Sequence, residues 1–153
     1  MAYIADPDRE IAGCPFCVLP GSGDDRESLI VARRGLCYAV LNAYPYNPGH
    51  LMIVPFRHVS PYTELRPQEL HEMADLSQQA VRALAESSGP DAYNLGWNVG
   101  AVAGAGIADH IHQHVVPRWD GDTNFMPVLG QTRVLPELLE ETYERLRPAF
   151  AGA

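Results

Sequence analysis

Residues 110–116 read His-Ile-His-Gln-His-Val-Val, and this stretch constrains the fold more than any other part of the chain. Imidazole and apolar side chains alternate in it, which predicts a β-strand from His110 to Pro117. On such a strand the histidines share one face, with Cα atoms about 6.6 Å apart at each step. His110 and His114 are then about 13 Å apart, too far for one zinc ion with Zn–N bonds of about 2.1 Å to bind all three from a straight strand. We therefore expect the three imidazoles to have different roles.

The remaining hydrophobic patterns place this strand in a mixed fold. Apolar, partly β-branched runs predict further strands at Leu29–Arg33, Leu36–Asn42, Leu51–Pro55 and Tyr93–Val99. Apolar residues at helical spacing predict a long helix over residues 67–87, and Pro136–Leu146 is predicted as a second helix that ends before Pro148. Strands and helices do not alternate regularly, which favours the α+β class over a doubly wound sheet. We expect one domain over residues 1–153, with an antiparallel sheet of about five strands, one long inserted helix and a C-terminal helix.

The charge balance argues against a general nucleic-acid binder. Eleven basic residues stand against nineteen acidic residues, and the net charge is −8, whereas a protein that binds the phosphate backbone needs a basic stripe. A small anionic ligand held by backbone N–H groups is compatible with this charge. Gly35–Phe56 is the longest stretch without a formal charge, and its prolines argue against a membrane span. The first ten residues carry acids where a signal peptide has Lys or Arg, so we expect a cytoplasmic protein.

The three cysteines do not form a closed disulfide framework. Cys14 and Cys17 form a Cys-x-x-Cys pair, which in a reducing compartment is typical of metal or redox chemistry. Cys37 lies in an apolar run, and we expect it in the core. The pair near the N-terminus is therefore a candidate for either chemistry.

A loop rich in small residues, Asn98–Gly106, leads into the histidine stretch. Glycine lets a backbone approach an anion closely and point its N–H groups at it. Alone, such a loop is more often a plain tight connection. Because three histidines follow it, the loop offers N–H groups for phosphate oxygens beside an imidazole, the parts that phosphoryl or nucleotidyl transfer needs.

Three motifs together resemble the histidine triad (HIT) family. Residues 110–116 match its His-φ-His-φ-His-φ-φ signature, in which φ is apolar, except that Gln113 replaces one apolar residue and is expected to face away from the triad. Residues 42–55 resemble the family's segment before the inserted helix, and residues 117–125 resemble actinobacterial diadenosine tetraphosphate phosphorylases. Gly106-Ile107 stands where many members carry Gln, Ser or Thr near the phosphates. The resemblance covers nearly the whole chain and implies the branch of diadenosine polyphosphate hydrolases and phosphorylases.

The resemblance implies a covalent mechanism for the histidines. His112 corresponds to the nucleophile that attacks the α-phosphorus of a nucleotide and forms a nucleotidyl-histidine. His114 is expected to hydrogen-bond a phosphate oxygen or the bridging oxygen. His50 is expected to pack against the cluster and fix its tautomers, the alternative being an ordinary core histidine. With His110, these residues form the predicted catalytic set.

The same resemblance implies nucleotide contacts outside the histidines. Asn42 matches the position that binds ribose hydroxyls, and Trp119 offers a face on which a second adenine could stack. The residues expected to hold the phosphates are Asn98, Gly104, Ala105 and Gly106. The residues that match the base-binding positions are Pro15, Phe16 and Val40, for which an ordinary core is the alternative. Arg118 has the charge to help recruit phosphate, the alternative being an exposed surface arginine.

The resemblance also implies a metal site and an oligomer. Relatives that hold zinc use the positions of Cys14, Cys17, His58 and His110, which predicts a structural zinc site and no catalytic cofactor. The alternative is a vestigial site, as in members without the cysteines. Family members typically pair through the inserted helix and an adjacent strand, so we expect a homodimer or a higher homo-oligomer.

The expected reaction is nucleotidyl transfer on a dinucleoside polyphosphate, a small-molecule nucleotide, with phosphate favoured over water as the acceptor. A nucleoside phosphoramidase or hydrolase of the same fold is the nearest alternative. A non-catalytic nucleotide-binding regulatory module would keep the pocket without turnover. An interaction protein built on a zinc scaffold would leave His112 and His114 without a role.

Overall fold

The computed structural model describes residues 13–122 and 137–150. Five strands form one sheet in the order β1-β2-β3-β5-β4, and every neighbouring pair is antiparallel. The strands are β1 (Ile30–Arg33), β2 (Cys37–Leu41), β3 (Leu51–Pro55), β4 (Ala92–Trp97) and β5 (Gln113–Arg118). The helices are α1 (Pro15–Val18), α2 (Pro67–Ser88) and α3 (Leu139–Phe150). The predicted α+β class is confirmed, with the long helix inserted between β3 and β4.

The two faces of the sheet bury different clusters. On one face, alternate residues of β2 and β3 pack with α2 and α3 in a core that includes Leu84 and Leu146. On the other face lies a smaller apolar cluster, which consists of Phe16, Ile30, Tyr38, Val40, Met52 and Val54. In β5, Val115 points into the larger core, whereas His114 pairs with Met52 and lies on the face of the smaller cluster. The histidines therefore lie on the side of the sheet away from the long helix.

α2 lies within one residue of its predicted bounds. Pro67 occupies the first position of the helix. The N–H that proline lacks would have no partner within the helix at that position, so no hydrogen bond is lost. The carboxylate of Glu69 accepts the N–H of Arg66 at 2.8 Å and caps the first turn. Gly89 ends the helix with φ 55°, and its N–H donates to the carbonyl of Leu84. None of the described helices, α2 included, is long and apolar enough to cross a membrane.

The strand that contains the histidine stretch begins further along the chain than predicted. β5 begins at Gln113 rather than at His110, so His110 and His112 precede the strand. The N–H of Ile111 donates to the carbonyl of Val59 at 2.7 Å, and Val59 lies outside the sheet. This bond holds the stretch away from the β-ladder. The spacing of a straight strand therefore does not apply to the first two histidines.

α3 is predicted to end at Leu146, before Pro148, but it continues through Pro148 to Phe150. Leu146 and Phe150 are buried in the larger core, and Nε2 of Gln79 donates to the carbonyl of Phe150 at 3.1 Å. These contacts offset the backbone hydrogen bond that the proline removes from the last turn. The predicted start at Pro136 lies outside the described residues.

Candidate active site

Two histidines form a hydrogen-bonded pair whose proton positions follow from their partners. His50 is completely buried, and its Nδ1 accepts the backbone N–H of Tyr46 at 3.0 Å. The neutral ring therefore carries its proton on Nε2, which donates to Nδ1 of His114 at 2.9 Å. His114 in turn carries its proton on Nε2. That nitrogen is buried and has no hydrogen-bond partner among the described residues, so its N–H is a donor for a ligand.

Asn42 lies against the same pair of histidines. The side chain is 1% exposed, and its Oδ1 accepts the N–H of Tyr44 at 2.9 Å. Its Nδ2 lies 3.3 Å from Nδ1 of His50, the nitrogen that also accepts the backbone N–H from the turn. The residue predicted to bind a ribose is thus buried beside His50 and helps to keep that nitrogen unprotonated.

The middle histidine is oriented by the backbone of the first. Nδ1 of His112 lies 2.9 Å from the carbonyl oxygen of His110, which only accepts, so Nδ1 carries the proton and Nε2 has the lone pair. His112 is buried against Phe16, with ring centroids 4.9 Å apart. Burial lowers the pKa of His112, against the opposite effect of its bond to the carbonyl. The ring is therefore neutral at pH 7, and Nε2 can act as a nucleophile.

His114 is also neutral at pH 7. Burial, and after it the neighbouring His112, lowers the pKa of His114 to about 4. The residues opposite it on the adjacent strands, Met52 and Gly96, carry no charge. The two rings have centroids 4.9 Å apart, so the ring of His112, which has the lone pair, lies beside the ring of His114, which has the donor N–H. A nucleophile next to a hydrogen-bond donor is what substitution at phosphorus requires.

His110 belongs to a second cluster, on the other side of His112. Its Nε2 donates to the carbonyl of Pro55 at 2.9 Å, which leaves a lone pair on Nδ1. That nitrogen lies 3.3 Å from Sγ of Cys14 and 3.5 Å from Sγ of Cys17. Sγ of Cys17 lies 3.3 Å from Nδ1 of His58. The four ligand atoms all lie within 4.8 Å of one another.

This Cys/His cluster fits a metal ion that prefers sulfur and nitrogen ligands. Two thiolates and two imidazoles are the donors of structural zinc sites, with Zn–S bonds of about 2.3 Å and Zn–N bonds of about 2.1 Å. Burial, and after it the neighbouring Cys14, raises the pKa of Cys17, so a metal ion that binds here displaces a thiol proton. The four predicted ligands therefore form a group that can bind a metal. His110 links this group to His112, because its ring belongs to the cluster and its carbonyl orients the ring of His112.

The predicted base-binding residues are mostly buried, and one of them, Phe16, lies beside His112. Phe16 and Val40 are 2% and 1% exposed within the smaller apolar cluster. Pro15, the first residue of α1, is half-buried. The ring of Phe16 contacts both His110 and His112, with centroids 5.6 and 4.9 Å away. Phe16 therefore joins the smaller apolar cluster to the Cys/His cluster and to His112.

The predicted phosphate loop follows β4 and is largely exposed. Gly100 and Gly104 have φ values of 88° and 91°, which favour glycine. Nδ2 of Asn98 donates to the carbonyl of Gly104 at 3.4 Å and closes the loop on itself. Ala105 is buried, whereas Gly106 is exposed. The loop thus has the accessible backbone that an anion site requires. The side-chain amide of Asn98 is hydrogen-bonded within the loop.

Asp122 organises the residues that follow β5. Its Oδ1 pairs with the guanidinium of Arg118 at 2.5 Å. Its Oδ2 accepts the N–H of Trp119 at 3.2 Å and the side-chain amide of Asn47 at 2.7 Å. Arg118, which was a candidate for recruiting phosphate, is therefore ion-paired within the chain. Trp119 is half-buried, and residues 123–136 lie outside the described part of the chain.

The chain is similar in sequence to proteins of one known family. Residues 24–121 match the model of the HIT domain. The chain belongs to the histidine triad family. It is 47% identical over 137 residues to the AP-4-A phosphorylase of Mycobacterium tuberculosis, and the match covers 90% of this chain and 70% of that protein.

Two solved structures of histidine triad proteins share the fold. A zinc-bound family member from Mycobacterium smegmatis is similar with a TM-score of 0.73 and 28% identity, over 92% of this chain and 94% of that one. A histidine triad nucleotide-binding protein from Sulfolobus tokodaii has a TM-score of 0.68 and 27% identity, over 90% of this chain and 89% of that one. The predicted fold class and family are thereby confirmed.

Tyr46 is a residue of this histidine triad site that the sequence patterns did not predict. It lies in the turn before β3, and its ring centroid is 4.6 Å from that of His50 and 5.9 Å from that of His114. The only signal in the sequence is an aromatic residue four positions before His50. Composition marks that segment as a turn but does not show which ring the turn places on the histidines.

Proposed function

We propose that this histidine triad protein transfers a nucleotidyl group from a dinucleoside polyphosphate of the diadenosine tetraphosphate type, through a covalent intermediate on His112. The orientation of His112 carries the proposal, because the carbonyl of His110 binds its Nδ1–H and leaves a lone pair on Nε2. The 47% identity to an AP-4-A phosphorylase supports the substrate class.

In the first step, Nε2 of His112 attacks the α-phosphorus of one nucleoside. A P–N bond forms, and the P–O bond to the rest of the dinucleotide breaks, so the nucleoside triphosphate leaves with that electron pair. The Nε2–H of His114 donates to a phosphate oxygen and stabilises the charge that develops there. The carbonyl of His110 stabilises the Nδ1–H of His112 while the attacking imidazole becomes positive.

In the second step, an oxygen of inorganic phosphate attacks the same phosphorus. The P–N bond breaks, and Nε2 of His112 regains its lone pair. Diadenosine tetraphosphate then gives ATP and ADP, whereas water as the acceptor gives ATP and AMP. The identity to a phosphorylase favours phosphate as the acceptor.

The nucleotide contacts proposed for this reaction lie around the two rings. Asn42 is proposed to bind the ribose of the transferred nucleotide, and Trp119 to stack on the second base. The other contacts proposed are Pro15, Phe16 and Val40 for the first base, and Asn98, Gly104, Ala105 and Gly106 for the phosphates.

We infer further that the metal of the Cys/His cluster is zinc and that its role is structural. Two thiols and two imidazoles are typical zinc ligands, and the similar protein from Mycobacterium smegmatis is zinc-bound. When bound, zinc would supply folding free energy and tie α1 to the stretch before β5. The described cysteines are all free thiols, and thiols stay reduced in the cytosol, which supports the cytoplasm as the location. A homodimer is part of the same proposal.

The products of diadenosine tetraphosphate, separated by anion-exchange chromatography, test the proposed reaction. The metal-loaded protein is incubated with and without inorganic phosphate, and His112→Asn serves as the inactive control. ATP and ADP in the presence of phosphate are the expected products. ATP and AMP under the same conditions would show that water is the acceptor. Turnover of a nucleoside phosphoramidate without turnover of the dinucleotide would contradict the substrate class.

A further inference from the structure

The ring of Tyr46 covers the His50–His114 pair. It is inclined by 39° to the ring of His50 and by 27° to the ring of His114, with centroids 4.6 and 5.9 Å away. Tyr46 is 48% exposed, whereas His50 beneath it is 0% exposed. The phenol ring therefore separates the hydrogen-bonded pair from solvent.

The turn that carries Tyr46 is braced against the strand that carries His114. The backbone N–H of Tyr46 donates to Nδ1 of His50. The side-chain amide of the next residue, Asn47, donates to the carbonyl of Pro117 in β5 at 2.9 Å and to Asp122 at 2.7 Å. These bonds hold the ring of Tyr46 in a defined position above the histidines. None of the contacts proposed for the reaction assigns a role to this ring.

The hydrogen bond under the ring decides where His114 carries its proton. His50 donates to Nδ1 of His114 at 2.9 Å, which places the proton of His114 on Nε2. Water at this bond would compete for the N–H of His50 and would allow His114 to take its other tautomer. A hydrogen bond is stronger where water is excluded and the local dielectric is low.

We propose that Tyr46 is a positioning residue, whose ring keeps water from the His50–His114 hydrogen bond and so holds the Nε2–H of His114 directed at the substrate. The proposal rests on the function proposed above, because it assigns a role for Tyr46 in the same reaction. Tyr46 acts through the histidines and not on the reacting atoms.

The surroundings of His114 define what removal of the ring should do. Among the residues that the structure describes, the titratable side chains that face it are those of His50, His112 and Tyr46 itself, while β3 and β4 present the uncharged Met52 and Gly96. Burial is the main cause that lowers the pKa of His114 to about 4. Water admitted by loss of the ring would solvate the imidazolium, so the pKa of His114 should rise toward its ordinary value.

Three variants separate the ring from the rest of the side chain. Tyr46→Leu removes the aromatic ring and keeps the backbone N–H, and Tyr46→Phe removes only the hydroxyl. Tyr62→Leu is the matched control, since Tyr62 is 43% exposed and its ring packs on Trp97 with centroids 5.4 Å apart. The measurements are kcat and KM with diadenosine tetraphosphate, and the tautomer and pKa of His114 by NMR of the metal-loaded protein without substrate.

We expect Tyr46→Leu to lower kcat by about 10- to 100-fold with a much smaller change in KM, because a misplaced group costs rate rather than binding. The same variant should raise the pKa of His114 and populate its second tautomer. Tyr62→Leu should resemble the wild type in every measurement, and Tyr46→Phe, which keeps the ring, should keep the proton of His114 on Nε2. These results would support the proposal.

Unchanged kcat and unchanged titration of His114 in Tyr46→Leu would overturn the proposal. A raised KM at unchanged kcat would also overturn it, because the ring would then contact substrate instead of positioning a histidine. If Tyr46→Leu does not fold, the wild-type spectrum decides: a proton on Nδ1 of His114 contradicts the proposal, and a proton on Nε2 supports it. Absence of turnover in the wild type would contradict the proposed function, while the NMR measurements would still test the role of Tyr46.

Discussion

Gly49→Ala should destabilise the fold because the turn before His50 combines an unusual backbone conformation with a close approach to α2. Gly49 has φ 84°, where a Cβ atom costs about 1–2 kcal/mol. A Cβ built there lies 2.7 Å from Cδ2 of Leu84, which is completely buried. Displacing that side chain adds an overpacking cost of about 1–3 kcal/mol. We therefore expect the free energy of unfolding to fall by about 2–5 kcal/mol.

Gly23→Ala is the matched control for this prediction. Gly23 has φ 87°, and its Cβ position has no heavy atom within 4 Å, so its variant should lose only the conformational cost of about 1–2 kcal/mol. Urea unfolding of both variants at one protein concentration gives the two losses. Because His50 follows Gly49 directly, Gly49→Ala should also lower kcat. Equal losses of stability in the two variants would refute the inference that α2 constrains this turn.

Three further predictions concern the metal, His114 and the second base. Cys14→Ser should lose the metal, found in the wild type by elemental analysis, and should lower Tm; metal-free wild-type protein of unchanged Tm would contradict the structural role. The pKa of about 4 for His114 predicts that the folded protein loses stability as pH falls from about 6.5 to about 4, because only the unfolded chain takes up that proton readily. Urea unfolding of His114→Gln should show a weaker pH dependence in this window, and equal slopes would disprove the assignment. Trp119→Ala should raise KM for the dinucleotide more than for a mononucleotide, and equal effects would remove the stacking role.

Local patterns predict most of the fold because most of its elements carry their own start, stop and buried face. α2 is bounded by Pro67 and Gly89, both of which act through backbone geometry alone. The alternation around Gln113 also predicts that its side chain lies on the face of the sheet opposite the histidines. This is the side of α2, where the hydroxyl of Ser77 donates to Oε1 of Gln113 at 2.7 Å. Cys37 is buried in the core, as its apolar neighbours predict.

The errors in the predicted elements come from contacts between distant segments. The alternation continues through His110, but the carbonyl of Val59 binds the N–H of Ile111 and keeps the first two histidines out of the ladder. α3 passes Pro148 because Gln79, on another helix, binds the carbonyl of Phe150. Neither partner is visible in the local sequence.

The sequence predicts those parts of the site in which the residue types determine the chemistry. It does not predict those parts in which the backbone conformation determines which side chains meet. Two thiols at metal spacing, with the family's two histidine positions, predict the Cys/His cluster that the structure forms. The dual position of His110, with its ring in that cluster and its carbonyl on His112, depends on a local bend in the chain. The stacking of Tyr46 on His50 likewise depends on the conformation of a turn.

A covalent intermediate on His112 is the central claim, and mass spectrometry of the quenched enzyme tests it most directly. The metal-loaded protein is mixed with diadenosine tetraphosphate in phosphate-free buffer, quenched during turnover under conditions that preserve P–N bonds, and digested. We predict an adenylyl group on the peptide that contains His112, its discharge as ADP when phosphate is added before the quench, and no adduct in His112→Asn. Full turnover by His112→Asn, or an adenylyl group on a different residue, would contradict the account.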